Sequence, residues 1–61
     1  MPERILRRPV VEDRTGLSRS TIYALMAQEG FPRPIKLSKR AVGWRESAIV
    51  RWLESRTSEA D

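Results

Sequence analysis

Two short clusters in this 61-residue sequence could hold a polyanion. The first is Ser18-Arg19-Ser20-Thr21, a guanidinium set among hydroxyls. The second is Ser38-Lys39-Arg40, two cations side by side. An arginine can grip guanine through O6 and N7 at once. Lysines, arginines and hydroxyls all bond to phosphate oxygens. The chemistry on offer is recognition, not bond-making. The sequence has no Cys and no His. The usual general base, the commonest neutral metal ligand and a Cys-ligated zinc site are therefore missing. Glu12 and Asp13 are neighbours, so on a helix they diverge and make no working carboxylate pair. No serine has a base at hand, and no glycine-rich phosphate loop occurs. We expect no enzyme, no cofactor and no metal.

The charge is unevenly placed. There are 12 Lys+Arg and 8 Asp+Glu, a net +4. From Arg4 to Arg45 ten bases face three acids, a local net of +7; from Glu46 to Asp61 two bases face four acids, a net of −2. Phe31–Arg45 holds five bases and no acid. Such a block repels itself unless a polyanion neutralises it. A solvated basic surface is the plain alternative. No apolar run approaches a membrane span, and Met1-Pro2-Glu3-Arg4 lacks the apolar stretch of a signal peptide. The expectation is a cytoplasmic, nucleoid-associated protein that meets no membrane. With 39% apolar residues, the chain can build one small core in a single domain, 1–61, ordered over about 5–56 with 57–61 as a tail.

The elements that must position the two clusters can be read from spacing. Ile5-Leu6 reads either as a short edge strand or as a tail pinned to the core. Pro9 suits the first position of a helix, and Gly16 ends that helix as a left-handed cap. Glu12 and Asp13 then lie early in it, near the positive end of its dipole. Ser18 reads as the cap of a second helix, accepting from the Thr21 N–H. Leu17 and Ile22 form a hydrophobic staple across that cap. Ile22, Leu25 and Met26 define the buried stripe, and Gly30 reads as the C-terminal cap. The two prolines of Phe31-Pro32-Arg33-Pro34 forbid a central strand. Ile35–Leu37 and Ala41–Trp44 alternate around the turn Ser38-Lys39-Arg40, as a hairpin does. Ile35, Leu37, Val42 and Trp44 are expected to share its buried face. A last helix runs from about Glu46 to Arg56, with Ile49, Trp52 and Leu53 as its stripe. Trp44 and Trp52 read as core, because they share faces with Leu and Ile.

Two helices joined by Gly16-Leu17-Ser18 carry the helix-turn-helix signature, and a basic hairpin after them is a wing. An ordinary helical hairpin is the competing reading of the turn alone. The fold class expected is α+β, a small winged helix-turn-helix with a two-stranded wing and a C-terminal helix.

The blocks Gly16-Leu17-Ser18-Arg19-Ser20-Thr21-Ile22-Tyr23, Phe31-Pro32-Arg33-Pro34-Ile35-Lys36-Leu37, Ala41-Val42-Gly43-Trp44-Arg45-Glu46-Ser47 and Trp52-Leu53 resemble the AlpA family of prophage regulators in order and spacing. The resemblance covers about Leu6 to Arg56. It implies a winged helix-turn-helix of the MerR/excisionase kind, found in phages and genomic islands. It also implies a transcriptional regulator of an integrase gene or an excisionase (recombination directionality factor). Pro9-Val10-Val11 departs from the polar, more amphipathic helix start that the resemblance leads one to expect.

On this reading helix 18–28 enters the major groove and wing 35–44 meets the backbone or minor groove. Arg19 and Ser20 are the first choices for base edges. Thr21 contacts base or phosphate, or serves only the cap. Tyr23 gives its hydroxyl to a phosphate or packs on the first helix. Ser18 is chiefly structural. Lys39 and Arg40 meet phosphates from the wing tip, with Lys36 and Arg45 behind them. Arg7, Arg8 and Arg14 extend the footprint along the backbone or, for some of them, only pair with Glu12, Asp13 or solvent; the direction of Arg33 is not legible. The partner expected is double-stranded DNA, with self-association on adjacent sites and an integrase as further partners. The alternative is a protein-interaction module that docks an integrase or polymerase subunit through the last helix. Single-stranded RNA is disfavoured, since no aromatics decorate the basic face.

Overall fold

The computed structural model describes residues 3–59, with side chains through Arg56. Its elements run β1 (Ile5–Leu6), α1 (Arg8–Thr15), α2 (Arg19–Ala27), β2 (Ile35–Ser38), β3 (Ala41–Arg45) and α3 (Glu46–Glu59). Ile5-Leu6 is thus a strand. It pairs antiparallel with β3, Leu6 opposite Trp44, and the sheet order is β1-β3-β2.

Helix α1 begins one residue earlier than the proline suggests. Arg7 is its cap residue, Arg8 opens it and Pro9 follows in the first turn, where an N–H would have no helical partner. The first turn contains no acid, so Glu12 and Asp13 do not serve the helix dipole as expected. Glu12 instead accepts a hydrogen bond from Arg8 Nε at 2.9 Å, one turn back. Gly16 ends α1 in the left-handed region, φ 74°, and its N–H reaches the Glu12 carbonyl at 2.8 Å. A side chain is rarely tolerated at that φ. The Thr15 hydroxyl closes the turn. It donates to the Val11 carbonyl at 2.8 Å and accepts the Leu17 N–H at 3.2 Å.

Ser18 caps α2 as its position suggests, accepting the Thr21 N–H at 3.2 Å. The other end differs from the expectation. Glu29, not Gly30, adopts positive φ, 59°. Its N–H reaches the Met26 carbonyl at 3.0 Å, and the Gly30 N–H reaches Leu25 at 2.8 Å. Those two bonds form a Schellman closure with Glu29 in the left-handed position. Gly30 stands one residue beyond, and its carbonyl accepts the Trp52 indole N–H at 2.8 Å.

The hairpin register also corrects the sequence reading. Ile35 pairs with Gly43, Lys36 with Val42 and Ser38 with Ala41, leaving Leu37 as an extra residue in a bulge. Directly opposed residues share a face, so Ile35 lies on the Gly43 side and not with Val42 and Trp44. Leu37 follows it and is 44% exposed. The turn shortens to Lys39-Arg40. On this outer face the Gly43 backbone is covered closely. A Cβ there would collide with Ile5 Cγ2 and come within 3.1 Å of the Leu6 carbonyl oxygen.

The core comprises Leu6, Val11, Ile22, Phe31, Trp44 and Ile49, with Leu17, Leu25, Met26, Val42, Trp52 and Leu53 packed around it. Phe31 is an addition to the expected core. Its ring meets Trp52 edge-on at 4.9 Å and Trp44 at 6.3 Å. The Trp44 indole N–H is satisfied by the Pro32 carbonyl at 2.9 Å. The prolines therefore do more than forbid a strand: they hold a carbonyl where a buried indole needs one. Helix α3 continues to Glu59, so the expected tail is helical backbone over 57–59; 60–61 lie outside the described residues. Strand β2 contributes none of the six core residues.

Candidate nucleic-acid interface

The serine cap fixes where α2 begins, and so which side chains project from its first turn. Arg19, Ser20 and Thr21 are all exposed there. The Ser18 hydroxyl is engaged, 3.2 Å from the Thr21 N–H and 3.0 Å from the Thr21 hydroxyl. Thr21 is therefore partly occupied by the cap, while Arg19 and Ser20 make no hydrogen bond through their side chains among the described residues. One turn on, Tyr23 is 39% exposed and the Arg19 guanidinium lies over its ring, 5.7 Å from the centroid.

Arg19 and Arg40 line one cleft of about 390 Å³, together with Arg7, Arg8, Pro9, Tyr23 and Val42. The wing turn and the leading end of α2 thus open on the same side of the molecule. Four arginines border that space and, among the described residues, no acid does. Arg8 is partly neutralised by Glu12. Arg7, Arg19 and Arg40 have no ion-pair partner among the described residues. Tyr23 also borders a second hollow of about 370 Å³ with Met26, Ala27, Arg33 and Pro34. Arg33, rigidly set between its prolines, thereby prolongs the same basic side.

The remaining candidates are placed differently. Lys36 pairs with Val42, a cleft residue, and is exposed on that face of β2. Lys39 stands beside Arg40 in the turn but does not border the cleft. Arg45 is not brought to it either. It lies at the far end of β3, its guanidinium 3.0 Å from the Glu3 carboxylate. That carboxylate also accepts the Ser47 N–H at 3.0 Å and the Ser47 hydroxyl. These bonds, the Ser47 hydroxyl foremost and Arg45 next, hold the Glu3 carboxyl below its ordinary pKa. Arg14 is likewise tied to Glu46 at 2.9 Å.

Arg7, Arg8, Pro9 and Val42 complete the cleft without having been first choices. The adjacency of Arg7-Arg8 to the helix-opening Pro9 was the available signal. Val42 gave no such signal, because its face depends on the hairpin register. Among the described residues, no group of acids could hold a metal ion and no helix is long and apolar enough to cross a membrane.

Two helices joined at a left-handed glycine, a basic two-stranded hairpin and a C-terminal helix behind them define a winged helix-turn-helix domain. The comparison with known proteins sharpens this. The family described as prophage CP4-57 regulatory protein (AlpA) matches residues 4–57, and the chain belongs to it. It is 39% identical over 59 residues to the DNA-binding transcriptional activator AlpA of Escherichia coli K12, covering 87% of this chain and 84% of that one. It is 43% identical over 54 residues to the uncharacterized protein ORF88 of Enterobacteria phage P4, covering 88% of this chain and 61% of the phage protein.

Proposed function

We propose that the protein is a double-stranded-DNA-binding transcriptional regulator. In this reading, α2 presents Arg19 and Ser20 to base edges in the major groove while Arg40 and Lys39 of the wing hold the flanking backbone or reach the minor groove. The observation that carries the reading is the cleft: the leading end of α2 and the wing turn share it, and three of its arginines have no anionic partner among the described residues. Self-repulsion of this kind costs stability unless a polyanion relieves it. The printed name of the Escherichia coli relative, a DNA-binding transcriptional activator, supports the same assignment.

A module of this size reads few base pairs, so binding should be modest and strongly salt-dependent. Fluorescence anisotropy on duplex and single-stranded oligonucleotides, titrated across salt, tests it. The expected result is duplex preference and a linear loss of log affinity with log salt concentration. Equal or tighter binding to the single strand would overturn the proposal. An excisionase role is the finer alternative within the same chemistry. Protection footprinting separates the two: protection at a promoter supports regulation of transcription, and protection across an attachment site supports recombination control.

A further inference from the structure

We infer that Tyr23 is a specificity-determining positioning residue: its ring, not its hydroxyl, holds Arg19 in the pose that reads a base. The inference rests on the DNA-binding reading above and assigns one of its side chains a role.

Arg19 opens α2, and its side chain makes no hydrogen bond among the described residues. It stands at the positive end of the helix dipole, where a cation is disfavoured. The first turn of α2 contains no acid to hold it, and no ion pair reaches it among the described residues. An arginine in that position keeps most of its rotamer freedom, and bidentate contact with guanine would have to remove it. The ring of Tyr23 lies against it. The spacing makes that contact natural. Side chains on a helix lean toward its N-terminus, so residue 23 covers the turn that begins at residue 19. A guanidinium within about 6 Å of a ring centroid is attracted by the ring's negative face. The ring leaves the guanidinium edges, which carry the N–H groups, free to donate. Tyr23 itself is half-exposed and borders both hollows of the basic side, so its ring has a solvent-facing role beyond packing.

The two roles open to Tyr23 differ in what they predict. A hydroxyl on a phosphate stabilises every sequence equally. A ring that orders Arg19 favours only the base pair that Arg19 reads.

The test uses the full chain and a randomised duplex library. Wild type selects a preferred site, and Arg19→Ala identifies the position at which preference flattens. Fluorescent duplexes carrying each base pair at that position are then titrated with Tyr23→Phe and Tyr23→Leu. Tyr23→Phe should keep both affinity and preference. Tyr23→Leu should lose about two- to fivefold of the preference at that position alone, the range of an exposed cation–π contact. The double variant Arg19→Ala, Tyr23→Leu should match Arg19→Ala there, since the ring then has nothing to hold. Circular dichroism melts confirm that each variant is folded. If Tyr23→Phe weakens all duplexes alike, the hydroxyl is what matters and the inference fails. It fails too if Tyr23→Leu lowers affinity without changing preference, or if Arg19→Ala flattens no position. Should wild type select nothing and bind no duplex, the DNA reading itself fails, and this inference with it.

Discussion

The two ends of strand β3 treat charge in opposite ways. At its C-terminal end, Arg45 is paired with Glu3 and Arg14 reaches Glu46, the residue that opens α3. The Glu3 carboxylate lies over the first turn of α3, where the helix dipole favours an anion. At the N-terminal end, Lys39 and Arg40 form a turn that makes no ion pair among the described residues, and Arg40 opens onto a cleft already bordered by Arg7 and Arg19. The same strand thus joins a neutralised junction to an uncompensated one. Compensated charges serve the fold here: they tie the chain's beginning to its last helix across more than forty residues. The charges of the cleft make no such tie among the described residues, which is why the proposed DNA site is placed there.

Trp44 holds these two ends together, and its removal is the harshest way to break the comparison. The ring is fully buried, stands opposite Leu6 and donates to the Pro32 carbonyl. Trp44→Ala should cost about 3–5 kcal/mol. A domain of this length has only about 3–9 kcal/mol to lose. The expected outcome is loss of a cooperative thermal transition by circular dichroism. A melt within a few degrees of wild type would mean that the core does not depend on this ring.

A gentler test sets the two ends against each other directly. Arg40→Ala should lower the salt slope of duplex binding by about one unit, the signature of one lost phosphate contact. Its effect on stability should stay within about 0.5 kcal/mol, because the side chain is exposed and makes no ion pair among the described residues. Arg45→Ala should do the reverse, leaving the salt slope unchanged and disturbing the Glu3 junction. Equal slopes for the two variants would erase the distinction between the ends. Glu29→Gly serves as the control that touches neither. Glycine relieves the left-handed strain at that cap, and the expected gain is about 0.5–1 kcal/mol, seen as a rise of a few degrees in melting temperature. Its salt slope should match wild type.

Much of this arrangement is legible in the sequence wherever the signal is local. Gly16, Ser18 and the Ile22, Leu25, Met26 stripe fix the helix-turn-helix from residues within a turn or two of one another. Register is less accessible. The strands of the hairpin are evident, but a single bulge at Leu37 moves Ile35 and Leu37 to the outer face, and alternation alone cannot reveal an inserted residue. The α2 cap misled for a related reason. Glycine is the usual left-handed residue, yet the chain spends Glu29 there and leaves Gly30 to accept from Trp52. Of the candidate site, Arg19, Tyr23 and Arg40 come together as their elements imply. Arg45 does not, because its partner lies at the other end of the chain and no spacing rule reaches that far.

Glu3 supplies the subtlest test of the contrast. Its carboxyl is held below the ordinary range by the Ser47 hydroxyl, by Arg45 and by the Ser47 N–H. A carboxylate with a depressed folded-state pKa contributes stability that is present above the unfolded value, about pH 4.3, and is lost as pH falls through the folded value. Glu3→Gln removes that contribution, so the variant's stability should fall less steeply than wild type's on acidification from about pH 5 downward. Urea unfolding midpoints measured across that window read the difference. The effect should be small, because the group is exposed to solvent. Binding should not respond as it does to a cleft mutation: freeing Arg45 from its acid at neutral pH adds a cation on the outer face of the sheet, away from the cleft, and the salt slope should stay at the wild-type value. A rise of about one unit would show that Arg45 reaches the polyanion once released, and that its neutrality, not its position, had set the two ends of β3 apart.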